Sequence, residues 1–164
     1  GADAVSFHIN VGSEYEPDQL TQLAEVTSEA DRLGMPVLAM AYARGQGVED
    51  ESDPEALAHA VRLAEEVGAD VIKTAYSGSA DSFEPVVAAT SKPVVIAGGS
   101  KGTDHETLKM VRGAMDAGAA GISMGRSIFQ HEDPEAITRA VAAVVHDDAS
   151  VDEATSVAGL GGDA

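Results

Sequence analysis

Five short apolar runs recur along the chain, and each is followed by a longer stretch of amphipathic character. The runs are "AVSFHIN" (4–10), "PVLAMAY" (36–42), "DVIKT" (70–74), "PVVIAG" (93–98) and "AGISMG" (120–125). They are short, rich in Val and Ile, and nearly continuously apolar, which predicts parallel strands covered on both faces. Between them lie helix signals. In "DPEALAHAVRLAEEVG", Leu57, Ala60, Val61, Ala64 and Val67 share one helical face; in "DPEAITRAVAAVV", Ile137, Ala140, Val141, Val144 and Val145 do the same. Both segments open Asp-Pro-Glu. Asp53 and Asp133 therefore suit helix N-caps, with Pro54 and Pro134 at the first helical position, where no N–H is needed. Residues 17–33, 80–90 and 104–117 read as three more helices. A β-α alternation of this kind predicts an α/β fold with a parallel sheet.

Two architectures remain open at this level. Five parallel strands form an open doubly wound sheet, or they are the last five of an eight-stranded barrel, a fold of about 250 residues. The dinucleotide fingerprint G-x-G-x-x-G is absent after the first run, and "GQG" at 45–47 does not lead directly into a helix. "GAD" at 68–70 and "GAA" at 118–120 each close a helix and open a strand, and the chain itself starts "GAD". Gly1 thus reads as the end cap of a preceding helix, and with no initiator Met the expectation is an N-terminally truncated chain.

Composition narrows the function classes. The 164 residues, 44% hydrophobic, are enough for one domain with a real core. The absence of cysteine excludes disulfides, thiolate metal sites and a cysteine nucleophile within the chain, and a cytoplasmic setting fits. No apolar run approaches the roughly 18 residues of a membrane span. With 28 acids against 10 bases the net charge is −18, so neither nucleic acid nor an anionic membrane is an expected partner. The acids are spread along the whole chain, as on a surface adapted to high salt.

Ligands of α/β folds meet the C-terminal ends of the strands. There the sequence places Asn10 and Gly12, Tyr42 and Arg44, Lys73 and Tyr76, Gly98 to Lys101, and Gly125 with Arg126. Lys73 is the least expected of these, because an unpaired buried ammonium costs several kcal/mol or loses its proton. On a barrel's inner face, beside other cations, it suits a Schiff-base amine; equally, the position suits a strand-end lysine that reaches solvent along its stem. Lys92 precedes a strand, Lys101 lies in a glycine-flanked loop and Lys109 lies on a helix, so all three are weaker candidates. "IAGGSKG" and "SMGRSIF" end the last two strands, where glycines let backbone N–H groups approach an anion and a short helix follows "GRS". They read as a phosphate site with Arg126 supplying charge, or as plain tight turns. Tyr42 reads as a proton donor or as a packing aromatic, and Arg44 as an anion reader or the partner of a surface acid. The histidines at 8, 59, 105, 131 and 146 show no metal spacing, and no metal or other cofactor is expected. His8 reads as a core or rim residue.

"ADAVSFHINVGS", "PVLAMAYARG", "ADVIKTAYSG", "PVVIAGGSKG" and "GAAGISMGRSIFQH" together resemble the archaeal-type class I aldolases, of DeoC and fructose-bisphosphate aldolase type, up to about residue 150. The resemblance implies a partial TIM (β/α)8 barrel made of its five C-terminal βα units, strands four to eight, over residues 1–150, followed by an acidic, flexible tail over 151–164. It implies that Lys73 is the Schiff-base lysine and Tyr42 the proton donor. Ala43, Arg44, Gly98, Gly99, Gly125 and Arg126 are then substrate and phosphate contacts. The implied substrates are a phosphorylated ketose and a small aldehyde, and the implied assembly, for the full-length enzyme, is a homo-oligomer. The implied reaction is a transaldolase-type exchange. In it, 6-deoxy-5-ketofructose 1-phosphate is cleaved and the bound three-carbon unit adds to L-aspartate semialdehyde. The product is 2-amino-3,7-dideoxy-D-threo-hept-6-ulosonate, on a route to 3-dehydroquinate and aromatic amino acids. The alternatives are fructose-bisphosphate aldolase chemistry and a non-catalytic phosphate- or FMN-binding module. Two features depart from the family. Ala43 stands where Tyr-Pro-Arg is usual, and the Asp-His-Gly stretch that carries an acid–base aspartate has no counterpart in these residues.

Overall fold

The computed structural model describes residues 1–99 and 102–160; Lys101, weighed above as a weaker amine, lies outside the described residues. The chain alternates β1 (Val5–Val11), α1 (Glu16–Leu33), β2 (Val37–Ala43), α2 (Pro54–Glu66), β3 (Val71–Thr74), α3 (Ala80–Ala88), β4 (Val94–Ala97), α4 (Asp104–Asp116) and β5 (Gly121–Ser123). Three helices then follow, α5 (Arg126–Phe129), α6 (Pro134–Asp147) and α7 (Val151–Ala158). Both Asp-Pro-Glu starts fold as their chemistry dictates. Asp53 accepts the Glu55 and Ala56 backbone N–H groups, and Asp133 accepts that of Ala136. Leu57, Ala60, Val61 and Ala64 are fully buried on α2, where a buried Leu is worth about 1.5–3 kcal/mol over an exposed one.

All five strands are parallel and lie in sequence order, β1-β2-β3-β4-β5, and β1 and β5 are left as edges. Strand order is what a periodicity argument cannot supply, and here it decides between the two architectures. A doubly wound sheet reverses direction at a switch point, whereas this sheet never does. Crossovers of one hand then put every helix on one face, as in an arc of a β/α barrel.

The burial pattern follows from this. Val37, Ala39, Ala41 and Ala43 of β2 are buried and alternate with half-buried Leu38, Met40 and Tyr42. Ile9 and Val11, Ile72 and Thr74, and Val94 and Ile96 continue the covered face on β1, β3 and β4. The expectation of strands covered on both faces is therefore corrected. Helices cover one face, and the other presents His8, Met40, Lys73 and Val95 as one row across the sheet. The inner positions are apolar enough to make the runs look continuous, although this chain does not cover them.

The core has two parts. One joins the sheet to α1, α2 and α3 through Leu23, Leu57, Ile72, Phe83 and Ile96; the other packs α4, α6 and α7 together through Leu108, Val111, Val144 and Ala154. Residues 151–158 were expected in a flexible tail but form α7. Ser150 and Glu153 close a capping box at its start, and Ala154 and Ala158 are buried against the body. Among the described residues, no helix is long and apolar enough to cross a membrane.

Candidate active site

The strand register sets the site. Met40 pairs with Lys73, and Lys73 with Val95, so the lysine stem stands on the inner face between two apolar side chains. Among the described residues, no carboxylate lies within ion-pair distance of it. The next residue, Thr74, points the opposite way into the helix layer. It is fully buried, and its hydroxyl has no hydrogen-bond partner among the described residues.

A cleft of about 590 Å³ opens at the C-terminal rim of the sheet. It brings together His8, Tyr42, Ala43, Arg44, Tyr76, Gly99 and Arg126 of the residues singled out from sequence. Lys73, Gly98 and Gly125 are not in its lining, but each adjoins it. Met40, the row neighbour of Lys73, lines the cleft, as do Gly99 and Arg126, the chain neighbours of the two glycines. The cleft also includes Glu51, Ala75, Ala97 and Met110, which were not singled out. The parity of the strands could have flagged Ala75 and Ala97, two residues beyond Lys73 and Val95 on the same face.

Tyr42 is the most crowded group in the cleft. The His8 ring meets it edge-on at 5.3 Å between centroids, and the Arg44 guanidinium lies over its ring at 5.2 Å. Burial pushes the Tyr42 phenol above its ordinary pKa, and the Arg44 charge opposes this in part. The phenol accordingly keeps its proton through neutral pH, as a proton donor must. His8 is not a core residue. It stands exposed on the inner face and donates from Nε2 to Asn10 Oδ1 at 2.9 Å. Arg44 meets a surface acid, its Nε and Nη2 reaching Glu51 Oε2 at 3.0 Å. An anionic substrate group at this end of the cleft must compete with Glu51.

The two glycine loops meet at the opposite end. A Cβ on Gly98 would sit 3.1 Å from Met124 Cγ and 3.3 Å from Ser127 Oγ, so a larger residue there would push the Met124 or Ser127 side chain back by a few tenths of an ångström. Ser127 Oγ donates across the gap to Gly98 O at 3.4 Å. Gly125 begins α5 and accepts the Ile128 and Phe129 N–H groups at 2.9 and 3.0 Å. Arg126 follows at the cleft edge. No cluster of three metal-ligating side chains occurs among the described residues.

Known proteins resemble this chain in sequence and in fold. The chain is 69% identical to the 2-amino-3,7-dideoxy-D-threo-hept-6-ulosonate synthase of Halobacterium salinarum, over 98% of this chain and 60% of that protein. It is 41% identical to a class 1 fructose-bisphosphate aldolase of the same organism, over 94% of this chain and 59% of the relative. An archaeal fructose-1,6-bisphosphate aldolase, solved with its catalytic Lys bound to the carbinolamine intermediate of the substrate, superposes with a TM-score of 0.85 at 36% identity. That comparison covers 88% of this chain and 59% of the solved one. The chain thus spans about 60% of the length of the curated relatives it matches. The model of the DeoC/LacD family aldolases matches residues 1–131, from before β1 to beyond the second glycine loop. Because that match takes in every strand and both loops at the rim, the chain belongs to the DeoC/LacD family of aldolases.

Proposed function

We propose that this chain is the lysine-bearing part of a class I, Schiff-base synthase that makes 2-amino-3,7-dideoxy-D-threo-hept-6-ulosonate. Its substrates are 6-deoxy-5-ketofructose 1-phosphate and L-aspartate semialdehyde. The observation that carries the reading is the 69% identity to a synthase of that name across nearly the whole chain. In this reading residues 1–150 are strands four to eight of an eight-stranded barrel, whose remaining strands face the open inner row. The Lys73 amine attacks the ketose carbonyl and loses water to give an iminium. That iminium accepts the electron pair of the breaking C–C bond, and the other half of the sugar gives up its hydroxyl proton and leaves as a three-carbon aldehyde bearing the phosphate. The resulting enamine attacks the aldehyde, and hydrolysis frees the lysine. Tyr42 donates a proton during the exchange. Ala43 and Arg44 border the substrate, and the backbone of Gly98, Gly99 and Gly125, with Arg126, holds the phosphate. The complete enzyme works in the cytoplasm as a homo-oligomer and supplies aromatic amino acid synthesis by way of 3-dehydroquinate.

Borohydride reduction in the presence of the ketose phosphate, followed by peptide mapping, tests the lysine. The adduct is expected on the peptide containing Lys73, and Lys73→Met abolishes trapping. Tyr42→Phe retains trapping but loses most turnover. An adduct on Lys92 or Lys101, or turnover by Lys73→Met, overturns the assignment. Fructose-bisphosphate aldolase is the second reading, favoured by 41% identity to such an enzyme. Cleavage of fructose 1,6-bisphosphate faster than exchange onto L-aspartate semialdehyde selects it.

A further inference from the structure

His131 lies outside the cleft and has no part in the chemistry above, yet both of its ring nitrogens are engaged. Nε2 lies 2.8 Å from Asp104 Oδ1, in the first turn of α4. Nδ1 accepts the Asp133 backbone N–H at 2.9 Å. The side chain is only 15% exposed, while that of Asp104 is 36% exposed. Nδ1 also lies 2.8 Å from the Asp133 carbonyl oxygen; the Asp104 carboxylate can only accept, so Nε2 donates to it. Asp133 is itself the N-cap of α6 and accepts the Ala136 N–H at 3.0 Å. The His131 N–H donates to Ile128 O at 3.1 Å, which ties the residue to the end of α5.

His131 therefore joins three segments, by its ring to the start of α4 and the start of α6 and by its backbone to the α5 turn that begins at Gly125. The two glycine loops leave adjacent paired strands, with Ala97 opposite Ser123. Past the strand ends, the side-chain bond between them among the described residues is Ser127 Oγ to Gly98 O at 3.4 Å, and a bond of that length fixes little.

We infer that His131 is a positioning residue for the phosphate cradle, holding the Gly125–Arg126 turn against the first turn of α4 through Asp104 and against the start of α6 through the Asp133 backbone. The inference rests on the phosphate reading of those loops. A cradle of backbone N–H groups binds an oxyanion only if donors from both loops converge within hydrogen-bond distance. A shift of one loop against the other loses donors without touching Lys73 or Tyr42. The signature is a loss of phosphate affinity separate from any loss in the imine step.

The test uses the active enzyme, with inorganic phosphate as a competitive inhibitor and the phosphorylated ketose as substrate. His131→Leu and Asp104→Ala remove the clasp. Each is expected to raise the phosphate inhibition constant and the KM about tenfold, the effect of losing one or two good hydrogen bonds, with kcat falling far less. Asp104→Asn keeps an acceptor oxygen for Nε2 and is expected to restore near-normal affinity. Should His131→Leu fail to fold, Asp104→Ala carries the test, because it leaves the Asp133 bond intact. Folded clasp-breaking variants with unchanged phosphate inhibition overturn this inference alone. Wild-type enzyme that phosphate does not inhibit overturns the phosphate reading, and this inference with it.

Discussion

Tyr42 and Tyr76 show how a single side chain's surroundings set what it can do. Burial raises both phenols above their ordinary pKa; Arg44 opposes the shift at Tyr42, whereas Asp116 adds to it at Tyr76. A phenol with a folded pKa above its unfolded one holds its proton more tightly in the native state. The stability this contributes is fully present below the unfolded pKa of about 10 and is lost as pH rises through the folded value. Wild-type protein should therefore lose stability in chemical melts between about pH 9 and about pH 11. Tyr76→Phe, which removes one of the two groups, should lose it less steeply; parallel losses in the two proteins would show that Tyr76 does not contribute. Thr74 gives a second residue-scale expectation. Its hydroxyl is buried without a partner among the described residues, so Thr74→Val removes a desolvated polar group at nearly constant volume. The variant should melt at or above the wild-type temperature, because leaving such a group unsatisfied costs about 1–3 kcal/mol. A marked drop would mean that the hydroxyl has a native role. Lys73 was legible as a cation in an apolar strand. The His8–Tyr42 contact was not, because it depends on pairing between β1 and β2, and sequence carries no register.

At the scale of elements, α2 and α6 could be read from their Asp caps, and α7 shows what missing a cap costs. "SVDE" at 150–153 is a capping box, but the acidic composition and the glycines beyond it read as tail. The other caps make a direct prediction. Asp53→Ala unties two backbone N–H groups of α2 and should destabilise the protein by about 0.5–2 kcal/mol in chemical melts. Gly113 is a subtler case. It sits inside α4, where glycine is a poor helix residue by about 0.5–1 kcal/mol. Periodicity gives no reason for it, because the reason is tertiary. A Cβ at Gly113 would collide with the Tyr76 hydroxyl, and Tyr76 is itself stacked edge-on against Phe83 at 5.2 Å. Overpacking of this kind costs about 1–3 kcal/mol, which exceeds the gain in helix propensity. Gly113→Ala should therefore destabilise the wild type yet stabilise a Tyr76→Ala background, where only the propensity gain remains. The same sign in both backgrounds would remove Tyr76 as the cause.

For the molecule as a whole, the α/β class was readable from five apolar runs and the helices between them, but the one-sided cover was not. Val71, Val95 and Met40 on the inner face are as apolar as their outward neighbours, so hydrophobicity alone cannot say which face the helices take; the strand order does. Charge is the molecular property with the most direct consequence. The pairs Arg32–Glu29, Arg62–Glu66 and Arg139–Glu135 lie within single helices and are largely exposed, so each contributes little. With 28 acids and 10 bases, most carboxylates have no cation to meet, and the net charge of −18 acts as self-repulsion on the folded chain. Unfolding moves these charges apart, and low salt therefore favours the unfolded state. The screening length is about 10 Å at 0.1 M salt and about 3 Å at 1 M, shorter than the spacing of many like charges on one face. Thermal melts in rising KCl should shift steadily upward from low to molar salt, with the steepest gain at the low end, where screening changes most. Replacing exposed acids that meet no cation among the described residues, such as Glu25, Asp31 and Glu84, by their amides should flatten the curve by raising its low-salt end. A melting temperature that is flat or falls with KCl would show that repulsion is not what limits this fold.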